Sequence, residues 1–170
     1  MEIKEIIGQI FGIIAVILGF VMYQIKDAKR ILMVQIFICL VFCIHYFLLE
    51  ATSGLVLNAV GAVRSITYYN RDKLGKFEKY VPVIFAFVMA IMGIYFWEEW
   101  YSIFVVVGLV VNSIALSFKN PQNLRKSILI TSPLVIIYDA FILSIGGIIF
   151  ESVSVISSVI GLIRYKTSKK

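Results

Sequence analysis

The chain has 170 residues, of which 61% are hydrophobic and 15% charged, and its mean hydropathy is +0.96. About half of the residues of a soluble domain are apolar, so this composition excludes an ordinary soluble domain and indicates a membrane protein. The formal net charge of +6 lies in short stretches between apolar segments, beside anionic lipid, and therefore argues against nucleic acid as a partner.

Seven apolar segments follow one another along the chain. They lie at 5–23, 31–49, 53–69, 80–97, 101–118, 126–144 and 146–164. At 1.5 Å per residue, a helix of this length extends for roughly 25–29 Å, which is close to the hydrocarbon thickness of about 30 Å. We therefore predict an all-α polytopic membrane protein with seven transmembrane helices, whose first partner is the lipid bilayer.

The positive charges lie almost entirely on one side of this arrangement. All of the 16 lysine and arginine residues except Lys4 fall in three stretches, 24–30, 64–80 and 119–126, or in the C-terminal tail. Basic residues are retained on the cytoplasmic side of membrane proteins. The asymmetry predicts that the N-terminus lies outside and the C-terminus in the cytoplasm.

The longest connector, 70–79, divides the segments into three, one and three. Because the fourth segment reverses the chain once, the last three segments enter the membrane in the same direction as the first three. This predicts a single membrane domain, 1–170, with parallel three-helix repeats at 5–69 and 101–164 and a linker helix at 80–97.

A few residues match between the two predicted repeats. Gly12 aligns with Gly108 in one pair of segments. In a second pair of segments, three residues align at a larger separation: Gly61 with Gly161, Arg64 with Arg164, and Asn58 with Ser158. The matches are consistent with an internal repeat, although topology carries most of that prediction.

The stretch from Gln35 to Arg64 resembles the YgjV family of bacterial inner-membrane proteins. The matching elements are the glutamine in the second segment, a helical His45 followed by a bulky apolar run, a glycine turn, and an arginine that ends the third segment. The length and the number of segments also match. The resemblance implies the bacterial inner membrane as the location and does not imply an activity.

More distantly, the 3 + 1 + 3 plan resembles the SWEET, PQ-loop and PnuC transporters. That resemblance implies transport of a small polar metabolite. Asn58 matches the type of position at which SWEET proteins place a substrate-facing asparagine, whereas its partner in the last segment is Ser158. Within the two predicted repeats, only Pro133 lies inside a predicted span, whereas SWEET proteins carry a proline in each of four helices.

Polar residues inside the apolar segments are the candidate substrate-binding site, because a polar group in hydrocarbon needs a partner or a water-filled cavity. These residues are His45, Asn58, Asp139, Glu151, Ser154 and Ser158. The first four lie at similar depth in the outer halves of four helices, and the two serines continue the Glu151 face inward. The pattern predicts a polar cavity that opens at or near the outside.

These residues also have structural interpretations. His45 could hydrogen-bond a neighbouring carbonyl, and Glu151 could reach toward the outer headgroups. Asn58 lies on a face of small residues, which favours close helix packing. Arg64 could extend to lipid phosphate, or it could contact an anion or a gate at the cytoplasmic face.

The pattern favours a small secondary transporter or facilitator that moves a polar metabolite by alternating access. The alternative is a non-transporting membrane receptor or assembly partner with the same seven-helix fold. There is one histidine, and neither a phosphate-binding loop nor a metal-ligand spacing occurs, so we expect no enzymatic activity, no metal and no cofactor. The sequence does not determine which solute is the substrate or whether the protein forms a homo-oligomer.

Overall fold

Seven α-helices make up most of the part of the chain that a computed structural model describes, which is residues 3–25, 28–115 and 121–168. They are α1 (Ile3–Gln24), α2 (Ala28–Leu48), α3 (Thr52–Tyr69), α4 (Val81–Tyr95), α5 (Ser102–Ala115), α6 (Pro121–Phe141) and α7 (Ile145–Ser168). Two short 3₁₀ helices, Arg71–Lys73 and Gly75–Tyr80, lie between α3 and α4. The described residues contain no strand, which confirms the predicted all-α class.

Four helical stretches are long and apolar enough to cross a membrane by length and composition. They are Ile3–Met22, Lys29–Leu48, Gly75–Tyr95 and Ile145–Arg164, and a shorter apolar helix covers Ser102–Ala115. The sixth helix begins at Pro121, so residues 121–126 of the connector predicted at 119–126 are helical. Proline is well suited to the first turn of a helix, because the N–H that it lacks would have no partner there.

The helices form a closed ring around the interior. Each helix packs on its neighbours in the chain, α1 packs on α7, and α3 packs on α5 as well as on α4. Because α3 and α5 touch directly, α4 lies against the outside of that pair. The exposed apolar side chains of α4, such as Phe87 and Ile94, are consistent with this outer position in a lipid environment.

The two ends of the ring differ in charge. At one end, which we call the turn end, the chain reverses at 49–51, 96–101 and 142–144. At the other, the basic end, lie the described cationic residues of the connectors and helix termini: Lys29, Arg30, Arg71, Lys73, Lys76, Lys79, Arg125, Lys126 and Arg164. Lys4 lies at the turn end, where its ammonium pairs with Glu50 at 2.5 Å and lowers the pKa of that carboxyl.

The α2–α3 and α6–α7 turns have the same hydrogen bonds. In the first turn the N–H groups of residues 49, 50 and 51 bond to the carbonyls of residues 45, 47 and 46. The second turn repeats these three bonds 93 positions later, at residues 142, 143 and 144. Glu50 and Leu143 are the matching residues with positive φ, at 58° and 53°.

The repeated turns define a register that differs from the sequence alignment. They align Asn58 with Glu151 and Gly54 with Gly147, whereas the sequence comparison aligns Asn58 with Ser158. For α3 and α7, the two alignments differ by about two helical turns, so each residue is aligned with positions on the same helix face in both. Periodicity therefore does not distinguish the two registers, whereas the geometry of the turns does.

Replacing Leu143 by glycine should make the protein more stable than replacing it by alanine. Both changes remove the same side chain, which is 74% exposed, but only glycine adopts a positive φ without a steric penalty. We expect the Leu143→Gly variant to unfold at a higher temperature than Leu143→Ala. Its free energy of unfolding should be larger by about 1 kcal/mol. Equal stabilities in detergent would contradict the left-handed conformation at this turn.

Candidate functional site

The larger of two adjoining cavities lies inside the ring and extends to the basic end. It has a volume of about 330 Å³ and is bounded by α1, α2, α5, α6 and α7. Its apolar wall runs from Ile25 and Leu32, near the basic end, to Phe150 in the middle of the bundle. Its polar lining consists of Gln35, Asn112, Arg125, Thr131, Ser132, Glu151, Ser154, Ser157 and Ser158. The volume is at the lower end of the range, about 300–1,000 Å³, that holds small ligands.

A smaller cavity of about 80 Å³ adjoins the large one on the side of α3. Gln35, Asn112 and Glu151 line both cavities, so the two share a polar boundary. The small cavity adds Asn58 and Arg64 of α3, together with Tyr46 and Asp139. The two cavities together bring polar side chains from both halves of the chain into one interior space.

Glu151 is the acidic residue at the boundary between the two cavities. It lies on α7, within two turns of the helix start, and the Ser132 hydroxyl of α6 hydrogen-bonds to its carboxyl. Its counterpart in the turn register is Asn58, whose amide nitrogen donates to the carbonyl of Gly54 in its own helix at 2.9 Å. Matching positions of the two halves thus place a carboxyl and an amide at the small cavity.

Asp139 lies where the two halves meet. The Tyr46 hydroxyl donates to its Oδ1 at 2.8 Å, and these two residues occupy matching positions 93 apart. The other oxygen, Oδ2, lies beside Ser144 and Gly147 at the start of α7, and a Cβ at Gly147 would collide with it. A helix N-terminus carries a partial positive charge, which favours a carboxylate at this place.

His45 lies outside both cavities and has partners on both ring nitrogens. Its Nδ1 is 2.7 Å from the carbonyl oxygen of Gly8, and its Nε2 is 2.7 Å from the Ser144 hydroxyl. A carbonyl only accepts, so Nδ1 carries the proton, and in a neutral ring Nε2 accepts from Ser144. That hydroxyl in turn accepts from the N–H of Gly147 at 3.1 Å. The contact with Gly8 is the bond to a neighbouring carbonyl that the structural interpretation of His45 expects.

The turn end is closed by contacts between the halves of the chain. The Tyr138 hydroxyl of α6 accepts from the N–H of Gly54 at 2.9 Å, in the first turn of α3. In the matching place, His45 of α2 reaches the start of α7 through Ser144. Stacked and edge-on aromatic rings fill the space below: Phe42, Tyr46, Tyr138 and Phe150.

Side chains from the opposite half also cap α3 and α7. Oε1 of Gln9, from α1, accepts from the N–H groups of Ile145 and Gly146 at 3.0 and 3.3 Å. The carboxylate of Glu98, in the turn before α5, accepts from the N–H groups of Thr52 and Ser53 at 2.8 and 3.0 Å. Each cap satisfies N–H groups that have no partner within their own helix.

Arg64 is buried rather than extended toward lipid. Its side chain is 2% exposed and lines the small cavity, about 8 Å from the basic end of α3. Its Nε and Nη1 have no hydrogen-bond partner, and neither does the hydroxyl of Tyr68 one turn further along. A charged group costs about 2.5–3.5 kcal/mol at the centre of a membrane-spanning helix on insertion scales, so a buried guanidinium without a partner is a candidate functional position. Arg164, its counterpart in the sequence alignment, is exposed.

The six predicted site residues are divided among three environments. Asn58 and Asp139 line the small cavity, Ser154 and Ser158 line the large one, and Glu151 lines both, whereas His45 lines neither. The cavity does not open at the turn end, which is the end that the charge distribution predicts to lie outside. Aromatic rings and the contacts between the halves fill the turn end, so the cavity extends to the basic end instead.

Several residues of the site were not predicted as ligands. Gln35 and Asn112 line both cavities, and Ser132 bonds to Glu151. All three are polar side chains within helices, which is the criterion that selected the other candidates. Tyr46 and Tyr138 have no such signal, since a tyrosine in an apolar helix is indistinguishable in sequence from a packing residue.

These features define a polytopic helical membrane protein with a polar cavity inside the helix bundle. The chain belongs to the Imp-YgjV family of bacterial inner membrane proteins, whose pattern it matches over residues 6–169. Membership places the protein in the bacterial inner membrane and confirms the predicted family and location. No curated protein and no solved structure matches the chain.

Proposed function

We propose that this protein is a secondary transporter or facilitator that moves a small polar solute across the inner membrane by alternating access. The observation that carries this proposal is a polar cavity of about 330 Å³ that extends to one end of the bundle, while contacts between the halves close the other end. A site inside the membrane that is open to one side only is what alternating access requires in each of its two states.

We propose the 3 + 1 + 3 arrangement as the basis of this motion, with α1–α3 and α5–α7 as the two halves and α4 as the linker. The equal hydrogen bonding of the two turns supports it, as does the pairing of α1 with α7 and of α3 with α5. Both halves contribute to the cavities, so a rocking of one half against the other would open one end as it closes the other.

We also propose that the N-terminus lies outside and that the basic end faces the cytoplasm. The concentration of described cationic residues at that end supports this orientation, because positive residues are retained inside. In this orientation, the cavity extends toward the cytoplasm and the turn end forms the closed outer side. An ion pair between Lys29 and Asp72, at 2.5 Å, links α2 to the long connector on the cytoplasmic side and lowers the pKa of that carboxyl.

The residues of the site take different roles in this proposal. Glu151, Asn58 and the serines Ser154 and Ser158 offer a charge and hydrogen bonds to the solute. Asp139 stands between the solute site and the closed end, bonded to Tyr46. We assign His45 to closing the turn end rather than to binding the solute, because both ring nitrogens are already engaged.

Cysteine labelling from the two sides of the membrane tests the proposal. In a background with Cys39 and Cys43 replaced by alanine, Ser158→Cys should react with an impermeant maleimide from the cytoplasmic side. It should also react from the outside, more slowly, as the protein visits its outward-open state. A solute found by thermal shift should change both rates and should be taken up by proteoliposomes.

Two reference variants calibrate the labelling. Glu99→Cys, in the turn before α5, should react on intact cells, and Lys76→Cys, in the long connector, only after lysis. The opposite result would contradict the orientation. A Ser158→Cys variant that reacts from one side under every condition, with no uptake of a bound solute, would favour the receptor or assembly partner. A chemically altered solute would contradict our expectation that the protein is not an enzyme.

A further inference from the structure

We infer that the solute carries an anionic oxygen group, a carboxylate or a phosphate, and that Arg64 binds this group at the small cavity. The inference rests on the proposed function in one respect, namely that the anion is part of the transported solute. It adds the charge of the solute, which neither the family nor the shape of the cavity implies.

Among the described residues, the charge of Arg64 has no counter-ion. Its side chain is 2% exposed, and its Nε and Nη1 have no hydrogen-bond partner. No carboxylate in the described part of the chain pairs with it, since the ion pairs found there join Lys4 to Glu50 and Lys29 to Asp72. An arginine remains charged inside a protein, so an anion bound beside Arg64 would supply the compensation that the described residues do not.

The surroundings of Arg64 are suited to an oxyanion. The small cavity carries the side-chain amides of Gln35, Asn58 and Asn112, and amide N–H groups donate to carboxylate or phosphate oxygens. A guanidinium binds such a group through two parallel N–H···O bonds, which gives both strength and direction. Arg64 therefore anchors the anion, and the amides orient it.

The other charges of the site limit what the rest of the solute carries. Asp139 and Glu151 line the same small cavity, and either carboxyl would repel a second anionic group whenever it is ionised. The large cavity beyond Glu151 is lined by hydroxyls, including those of Thr131, Ser157 and Ser158. The geometry suits one anionic group at Arg64 and a neutral or cationic polar portion in the large cavity.

A lipid headgroup offers the same phosphate chemistry. We favour a free solute, because Arg64 lies inside the helix ring and not on its lipid-facing surface. Lipid phosphate is an outcome that the experiment distinguishes.

The test compares acids with their uncharged analogues by thermal shift on the purified full-length protein. The probe pairs are lactate and lactamide, benzoate and benzamide, and glycerol 3-phosphate and glycerol, each titrated at constant ionic strength. We expect at least one acid to stabilise the wild type while its uncharged partner does not. In Arg64→Gln, the affinity for that acid should fall at least 10-fold. The matched control Arg164→Gln, which removes the exposed arginine, should bind as the wild type does.

Three results would overturn the inference: equal stabilisation by acids and their uncharged analogues, unchanged acid binding in Arg64→Gln, or stabilisation by phosphatidylglycerol micelles but by no soluble acid. If Arg64→Gln does not fold, Arg64→Lys takes its place, because lysine keeps the charge but cannot form two parallel N–H···O bonds. Acid binding should still weaken about 10-fold in that variant. Failure of the proposed function looks different. If the protein transports neutral solutes only, the proposed function stands and this inference fails. If an acid binds at Arg64 but is not taken up, anion binding at Arg64 stands and the proposed function fails.

Discussion

The Gly146→Ala variant should lose several degrees of thermal stability, because the added methyl group has no space. Gly146 lies at the start of α7 against Gly12 of α1, and a Cβ on Gly146 would lie within 2.6 Å of both the Cα and C atoms of Gly12, closer than such atoms can approach. These are backbone atoms, so no side chain can turn aside, and the two helices must separate. Overpacking of this kind costs about 1–3 kcal/mol, and here it acts on the α1–α7 contact that closes the helix ring.

Gly61→Ala is the matched control, since it adds the same methyl group to a glycine inside α3. Its Cβ would meet Cys39 Sγ at 3.5 Å and other side chains at 3.9 Å, which are ordinary contacts. Alanine is preferred over glycine within a helix by about 1 kcal/mol. Unfolding of both variants in detergent should therefore show Gly146→Ala below the wild type and Gly61→Ala equal to it or above. A Gly146→Ala protein as stable as Gly61→Ala would show that α1 and α7 do not cross so closely.

The double variant Tyr138→Phe/Ser144→Ala should open the turn end. Each change removes one hydroxyl with little change in volume, and together they break the two matching contacts between the halves. The N–H of Gly54 and the Nε2 of His45 would then be buried without partners in the closed state, whereas water can reach them in the open state. A lost hydrogen bond of this kind costs about 1 kcal/mol or more, so the outward-open population should rise roughly 10- to 100-fold.

The labelling rate of Asn58→Cys from the outside measures this population, in the background that lacks Cys39 and Cys43. The matched control is Tyr95→Phe/Ser152→Ala, which loses the same two atoms elsewhere. Tyr95 is 80% exposed on α4, and Ser152 donates to Ile148 in its own helix at 2.7 Å. The control should label at the parent rate and unfold at the parent temperature. An unchanged rate in a folded Tyr138→Phe/Ser144→Ala protein would mean that these contacts do not hold the turn end closed.

The cavity shows where sequence reasoning about the site reached its limit. Depth along a helix follows from residue number, which predicts similar depths for His45 and Asp139, and in the structure they lie on either side of Ser144. Rotation about the helix axis depends on which helices are neighbours. That rotation turns Glu151 toward a cavity and His45 toward Gly8, and the sequence contains no measure of it.

Arg64 illustrates the same limit for a charged residue. Its position near the end of an apolar segment is compatible with extension to lipid phosphate and equally with burial. The structure decides for burial, because α3 turns that face toward α2 and α5, as the presence of Ile38, Cys39 and Val105 around the small cavity indicates. Arg164 has the same sequence context and is exposed, because its part of α7 lies at the surface.

By itself, the sequence determined that this is a helical membrane protein, where each helix lies in the chain, and that one end of the bundle is basic. These properties follow from local composition, since apolar length and charge position act on each segment separately. Only the tertiary structure decided how the two matching turns align, and hence that Asn58 and Glu151 occupy equivalent positions. It also decided which polar residues share a cavity. Those features depend on close contacts such as Gly12 with Gly146, which join distant segments and leave no periodic signal in the sequence.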